Sequence, residues 1–210
     1  MQAATKPRIT LTGLEEASLI HNPEDFGYFS LLWVKPQYQP QVDRGERTAN
    51  SAPKEQCSYP LRIMPKVIME LDQTLDTWYS QADFTGLNRR IVNLLRLNLC
   101  FADLDTYKTE WQGTTPEHIC YCICGYCRDE GLPEPSLILY SGRGLQIKWL
   151  LERPIPRAAL PRWNAIQSHL VSALERFGAD QGARDASRVL RLVDTINTRS
   201  GERVRVIWVK

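Results

Sequence analysis

The chain has 210 residues, 43% hydrophobic and 24% charged, with a formal net charge of +2. That is ordinary for a soluble globular protein: enough apolar material for one fairly large domain or two small ones, and no global field that by itself calls for nucleic acid. No basic start with an apolar run marks a secretory signal, and no stretch approaches the roughly 18 to 20 apolar residues of a membrane span, so a cytoplasmic location is expected and the six cysteines read as reduced thiols.

In chain order, Arg8 to Leu14 and Phe29 to Val34 are short apolar stretches, and the second reads as a strand. Residues 35–58 are rich in Pro, Gln, Ser and charge, which predicts a long loop or a disordered insertion. Thr77 to Gln81 has the aromatic and hydroxyl content of a strand. Leu95 to Asp105 alternates with period two, and its odd positions end in Asp103 and Asp105 on one face. Thr115-Pro116-Glu117 opens a helix that Gly131 and Pro133 close. Ser136–Ser141 and Leu145–Leu151, joined through Gly142-Arg143-Gly144, predict a hairpin. A second helix spans about Ala158 to Phe177, with Trp163, Ile166, Leu170, Leu174 and Phe177 as its buried stripe. A loop rich in Asp and Arg leads to a terminal strand, Val204 to Val209. The pattern is an α+β domain with a mainly antiparallel sheet, read as one domain over 1–210. Its abrupt apolar end predicts a fragment of a longer polypeptide.

Three segments carry candidate chemistry. Two carboxylates two apart on a strand repel each other, and divalent cations relieve that; a solvated strand end gives the same pattern. In Ser141-Gly142-Arg143-Gly144-Leu145-Gln146-Ile147-Lys148, glycines expose backbone amides and Arg143 offers a charged fork. Gln146 and Lys148 share a face, as a triphosphate cradle or an ordinary hairpin would have it. From Asp180 to Arg199, Asp185 could supply a third carboxylate, Arg188 and Arg191 could neutralise phosphates, and Asn197 suits a turn or a sugar contact; intramolecular salt bridges explain the same residues. The 184–210 segment holds seven Arg or Lys against three Asp or Glu. Trp78, Tyr79 and Trp111 are candidates for stacking on bases, or packing residues.

Together these segments resemble the archaeo-eukaryotic primase superfamily, in particular the RepB-type primases of plasmids and other mobile elements. The motifs are Phe101-Ala102-Asp103-Leu104-Asp105, Ser141-Gly142-Arg143-Gly144-Leu145-Gln146 and Asp185-Ala186-Ser187-Arg188, followed by Thr195-Ile196-Asn197-Thr198-Arg199, over roughly residues 74–210. The resemblance implies an RRM-like catalytic core with an N-terminal α/β unit. It implies two Mg²⁺ or Mn²⁺ ions held by Asp103, Asp105 and Asp185, and nucleotide phosphates bound by Ser141, Arg143, Gln146 and Lys148 with Arg188 or Arg191. Asp180 precedes Asp185 in a similar setting. Many members carry His in place of Gln146 and Pro-Gly in place of Val193-Asp194. The implied function is a template-directed primase or primase-polymerase on single-stranded DNA, using nucleoside triphosphates, with a helicase partner or fused domain by analogy.

Cys120, Cys122, Cys124 and Cys127 lack the paired spacing of a zinc module; three of them fall on one helical face, as in a core stripe, so zinc is not expected. His21 and His169 read as structural. A non-catalytic RRM-like nucleic-acid-binding module is the competing function, although the aromatic-rich run that RNA-binding sheets use is missing. A replication-initiator nuclease would need paired histidines, and His21, His118 and His169 are isolated.

Overall fold

The structure, a computed structural model, describes residues 10–210; Arg8 and Ile9 of the first apolar stretch lie outside them. Helix α1 (Gly13–Ile20) begins at Thr12, whose hydroxyl accepts from Glu15 N while the Glu15 carboxylate accepts from Thr12 N at 2.7 Å. This reciprocal cap satisfies backbone donors that a helix start otherwise leaves open. Strand β1 (Tyr28–Val34) follows, then a short helix α2 (Gln39–Asp43) and strand β2 (Lys54–Pro60).

Residues 35–58 are thus not a structureless insertion. β2 pairs with β1 along its full length, from Tyr28↔Pro60 to Val34↔Lys54. Val42, Ala49 and Ala52 pack with Val34 and Trp78 in a small core of their own. An edge strand with no fully buried residue needs few large apolar side chains, so its composition resembles a loop.

Helix α3 (Met64–Met69) leads to β3 (Thr77–Ser80), β4 (Ala82–Phe84) and the long β5 (Leu94–Leu104). Helix α4 (Pro116–Asp129) is capped by Thr115 and turns its cysteines as the spacing predicts: Cys120, Cys124 and Cys127 are buried, while Cys122 Sγ lies 3.7 Å from His118 Nε2. The hairpin β6 (Leu137–Tyr140) and β7 (Leu145–Pro156) precedes α5 (Leu160–Ala173). Short strands β8 (Val189–Arg191), β9 (Ile196–Asn197) and β10 (Glu202–Arg203) and the terminal β11 (Arg205–Val209) complete the chain.

Nine strands form one sheet in the order β11-β6-β7-β5-β4-β1-β3-β8, with β2 on the free edge of β1; β9 and β10 form a separate ribbon. The recorded pairings are all antiparallel, so the domain is α+β as the sequence predicts.

The site depends on how β5 uses its two edges. One edge pairs with β7 along most of its length, including Asp103↔Gln146. The other pairs with β4 only between Leu94 and Leu97. Beyond that point its backbone groups need other partners. Helix α5 supplies them: Trp163 Nε1 donates to Leu99 O (2.9 Å), Phe101 N donates to Gln167 Oε1 (3.0 Å), and Gln167 Nε2 donates to Phe101 O (2.5 Å). Gln167 is therefore fully buried, whereas Ile166, expected in the stripe, is 45% exposed. The chain after α5 extends the same edge: Asp180 N donates to Asp103 O and Asp105 N donates to Gly178 O, both at 2.8 Å.

Candidate active site

That edge pairing carries Asp180 to the two acids at the end of β5. Asp103, Asp105 and Asp180 line one cavity of about 490 Å³, together with Ser141, Arg143, Gln146, Arg188, Arg191 and Asn197. The opposite wall comes from the N-terminal half of the chain: Thr48, Asn50 and Lys54 beside Trp78.

Asp185, the expected third acid, does not line this cavity. Its Oδ1 accepts from Ser187 N (3.1 Å) and Ser187 Oγ (2.6 Å), and its Oδ2 meets Arg188 Nη2 at 2.9 Å. It caps a turn, a use of Asp that sequence alone does not distinguish from ligation. Asp180 is the third aspartate that lines the cavity with Asp103 and Asp105.

Lys148 is the second correction. It is fully buried, and its Nζ donates to Glu16 Oε1 (2.6 Å) and Tyr79 Oη (3.0 Å). Tyr79 Oη in turn donates to Glu16 Oε1 (2.5 Å). Lys148 does share a face with Gln146, but two residues further along β7 that face is covered by α1. Burial pulls its ammonium below the usual lysine value, and the Glu16 carboxylate pushes back. It does not line the cavity that Asp103 and Gln146 share.

The Ser141–Gly144 turn is built tightly. Ser141 Oγ donates to Gly144 O (3.1 Å), and Asn197 Nδ2 donates to Ser141 O (2.8 Å). Gly142 has φ +93, and a Cβ there would meet Asn197 Cβ at 2.6 Å; a Cβ on Gly144 would meet Leu104 O at 2.0 Å. Both glycines thus serve close approach between protein segments, and Ser141 and Asn197 brace the turn from within. Asp194, where the resembled family often has Gly, takes φ +72, and its Oδ2 accepts from Gly13 N at 2.8 Å.

The cations divide into two groups. Arg191 donates to Asp76 Oδ1 (2.6 Å), Arg188 pairs with Asp185, and Lys108 pairs with Asp105. Arg143, Arg199 and Lys54 also line the cavity but make no side-chain ion pair among the described residues. Arg143 lies 3.7 Å over the Tyr107 ring, and Lys54 at 5.6 Å and Arg191 at 4.7 Å sit against Trp78. Trp78 is therefore the stacking candidate that reaches the cavity; Tyr79 is buried and Trp111 stacks on Phe177 at 5.1 Å.

Of the cations that line the cavity, Lys54 and Lys108 are not singled out by the sequence, whereas Arg199 is the basic end of the Thr195–Arg199 segment. Lys54 lay in the segment taken for a loop, while Lys108, three residues after Asp105, was the more visible signal.

Asp103 carries the electrostatic signature of the site. Burial, then the charges of Asp105 and Asp180, push its carboxyl up to about 6, against a hydrogen bond from Gln146 and the charge of Arg191. Gln146 is buried with no partner for Oε1. Among the described residues no three His, Cys, Asp or Glu side chains stand close enough together to hold a metal ion as they are, and Asp105 pairs with the exposed Lys108. The donor set nonetheless fits hard divalent cations: it offers carboxylate oxygens alone, in mutual repulsion, with the nearest buried cations, Lys148 and Arg191, engaged by Glu16 and Asp76.

No protein-family model matches the chain. A "Replication protein" of Clostridium perfringens is 36% identical over 134 residues, which is 64% of this chain and 30% of that protein, so the chain spans under a third of that relative's length. Among solved structures, the AEP domain of the cyanophage S-2L primase-polymerase superposes with a TM-score of 0.60 at 20% identity, over 93% of this chain and 87% of that one. The catalytic domain of primase RepB′ in complex with initiator DNA gives 0.51 at 14% identity, over 95% and 86%, and primase RepB′ gives 0.53 at 13%, over 94% and 57%. The chain has the fold of these primase-polymerase catalytic domains.

Proposed function

We propose that this chain is the catalytic domain of a DNA primase or primase-polymerase that joins nucleotides on a single-stranded DNA template, in the replication of a plasmid or other mobile element. One observation carries the reading: a single cavity sets Asp103, repelled by Asp105 and Asp180, beside three cations, Arg143, Arg199 and Lys54, that make no side-chain ion pair among the described residues. A nucleoside triphosphate with divalent metal has the complementary charges.

Asp103, Asp105 and Asp180 would hold the metals, and a bound Mg²⁺ or Mn²⁺ pair would supply Lewis-acid polarisation of the α-phosphate and the attacking hydroxyl. Arg143, Arg199 and Lys54 bind the phosphate chain, and Arg143 can do so bidentately. Arg191, fixed by Asp76, gives the cavity a cation that cannot swing away. Gln146 presents its amide to the cavity as a contact without a titrating proton. Ser141, Asn197 and the two glycines fix the distance between the phosphate-binding turn and the acids. Template binding through phosphates makes activity salt-sensitive.

Among the described residues no helix is long and apolar enough to cross a membrane, and the reading places the protein in the cytoplasm with a helicase or further domain as partner.

The test is incorporation of labelled nucleotide on single-stranded DNA with Mg²⁺ or Mn²⁺. Wild type is expected to incorporate, and Asp103→Ala/Asp105→Ala is not. Retained DNA affinity with no incorporation in either protein would identify a non-catalytic RRM-like binding module instead.

A further inference from the structure

Arg191 lines the active-site cavity yet is buried, with its guanidinium 4.7 Å from the centre of the Trp78 ring. A buried guanidinium needs a carboxylate, because an unpaired charge in a poorly solvating medium is costly. Two acids are within its electrostatic reach. Asp76 takes the ion pair, Oδ1 to Nη1 at 2.6 Å. Asp103 feels the same charge, which opposes the rise of its carboxyl, but the ion pair that Arg191 makes among the described residues is with Asp76. Lys148 repeats the arrangement on the strand next to Asp103: it too feels that carboxylate, and it is taken by Glu16 at 2.6 Å.

Asp76 belongs to none of the sequence motifs. It lies just before β3, is fully buried and does not line the cavity. Four donors converge on its carboxylate. Arg191 Nη1 (2.6 Å) and Thr198 N (3.4 Å) reach Oδ1, while Thr198 Oγ1 and Gln39 Nε2 (3.4 Å) reach Oδ2. These donors come from β8, from the turn after β9 and from α2, so the carboxylate is fixed from three directions. An arginine between two acids pairs closely with one of them. Were it to pair with Asp103, its guanidinium would cover the oxygens that a divalent cation needs and would neutralise that partly buried acid with no metal present. Resting on the function proposed above, we propose that Asp76 is a positioning residue: by reserving Arg191 it keeps Asp103 open to a divalent cation. Asp76 touches neither metal nor nucleotide and acts through Arg191 alone.

The test is the Mn²⁺ affinity of the metal-free chain, read from the electron paramagnetic resonance of unbound Mn²⁺. Asp76→Asn keeps the shape of the side chain and removes its charge, and is expected to weaken Mn²⁺ binding by about tenfold. The double variant Asp76→Asn/Arg191→Gln is expected to return to within about threefold of wild type, because no guanidinium remains to close on Asp103. A merely structural Asp76 predicts a double variant no better than Asp76→Asn. That result, an Asp76→Asn chain within about threefold of wild type, or a wild type that binds no Mn²⁺ would overturn the proposal. Thr198→Val removes one anchor of Asp76, changes no charge, and serves if Asp76→Asn does not fold. Weaker Mn²⁺ binding that Arg191→Gln restores is then the expected result, and unchanged binding overturns the idea. A wild type that binds Mn²⁺ yet incorporates no nucleotide would instead sink the primase reading, and the same affinities would still decide the role of Asp76.

Discussion

Two clusters of charge lie near one another on this sheet and behave in opposite ways. In the first, Glu16, Tyr79 and Lys148 are all fully buried, and the phenol and ammonium meet each other and Glu16 Oε1 within 3.0 Å, while Glu16 Oε2 is buried with no hydrogen-bond partner among the described residues. In the second, Asp103, Asp105 and Asp180 line an open cavity, Asp103 is repelled by the other two, and only Asp105 has an ion-pair partner, Lys108, while Arg143, Arg199 and Lys54 make no side-chain ion pair among the described residues. The first cluster is closed and ties α1, β3 and β7 together. The second is left unbalanced. A charge whose partner lies inside the fold contributes to the fold, whereas a surplus of charge facing a cavity is a place for a ligand.

The sharpest way to break this contrast is to remove the acids. Asp103→Ala/Asp105→Ala should reduce nucleotide incorporation by on the order of 10³-fold or more, with a melting temperature equal to or above that of wild type, because repulsion is relieved. A matched fall in stability would place the acids with the closed cluster. Lys148→Met should do the reverse, costing about 3 to 5 kcal/mol in chemical denaturation because it strands Glu16 without its cation. Adding Glu16→Gln should recover part of that loss; a single Lys148→Met protein as stable as wild type would show that the pair is not what joins the strands. Next in size is a comparison of two aspartates five residues apart. Asp180→Ala is expected to lower incorporation by about 10²-fold and Asp185→Ala by no more than a few fold, measured at saturating nucleotide. The reverse order would return the third acid to position 185. The smallest effect is expected from Arg143→Ala, a rise in nucleotide KM of about tenfold that shrinks as salt is raised.

The segments whose signal is local were legible in the sequence. The alternation of Leu95 to Asp105, the glycine hairpin and the cap at Thr115 each fall within a residue or two of the observed elements, except that the second hairpin strand runs five residues past Leu151 to Pro156. The hidden features depend on partners far away in the chain. Lys148 finds Glu16 across 132 positions, so nothing around Lys148 announced that it was taken. Asp180 reaches Asp103 because β4 stops early and the free edge of β5 captures the chain after α5; Asp185 looked equivalent because both follow that helix in a run of Asp and Arg. β2 is not visible in the sequence because an edge strand with no fully buried residue has no reason to look apolar. Lys54, which β2 brings to the cavity, went unseen with it.

The bare α-carbon of Gly144, set against the carbonyl of Leu104, acts as a gauge block. Any side chain there is a shim that lifts the Ser141–Gly144 turn off the strand bearing Asp103 and Asp105 and, on the function proposed above, would widen the gap across which the reacting groups must meet. The reach of the chemistry is thus set by an atom that is missing. Even alanine, the smallest possible insertion, should leave a folded protein whose two halves of the catalytic machinery no longer close on the same nucleotide.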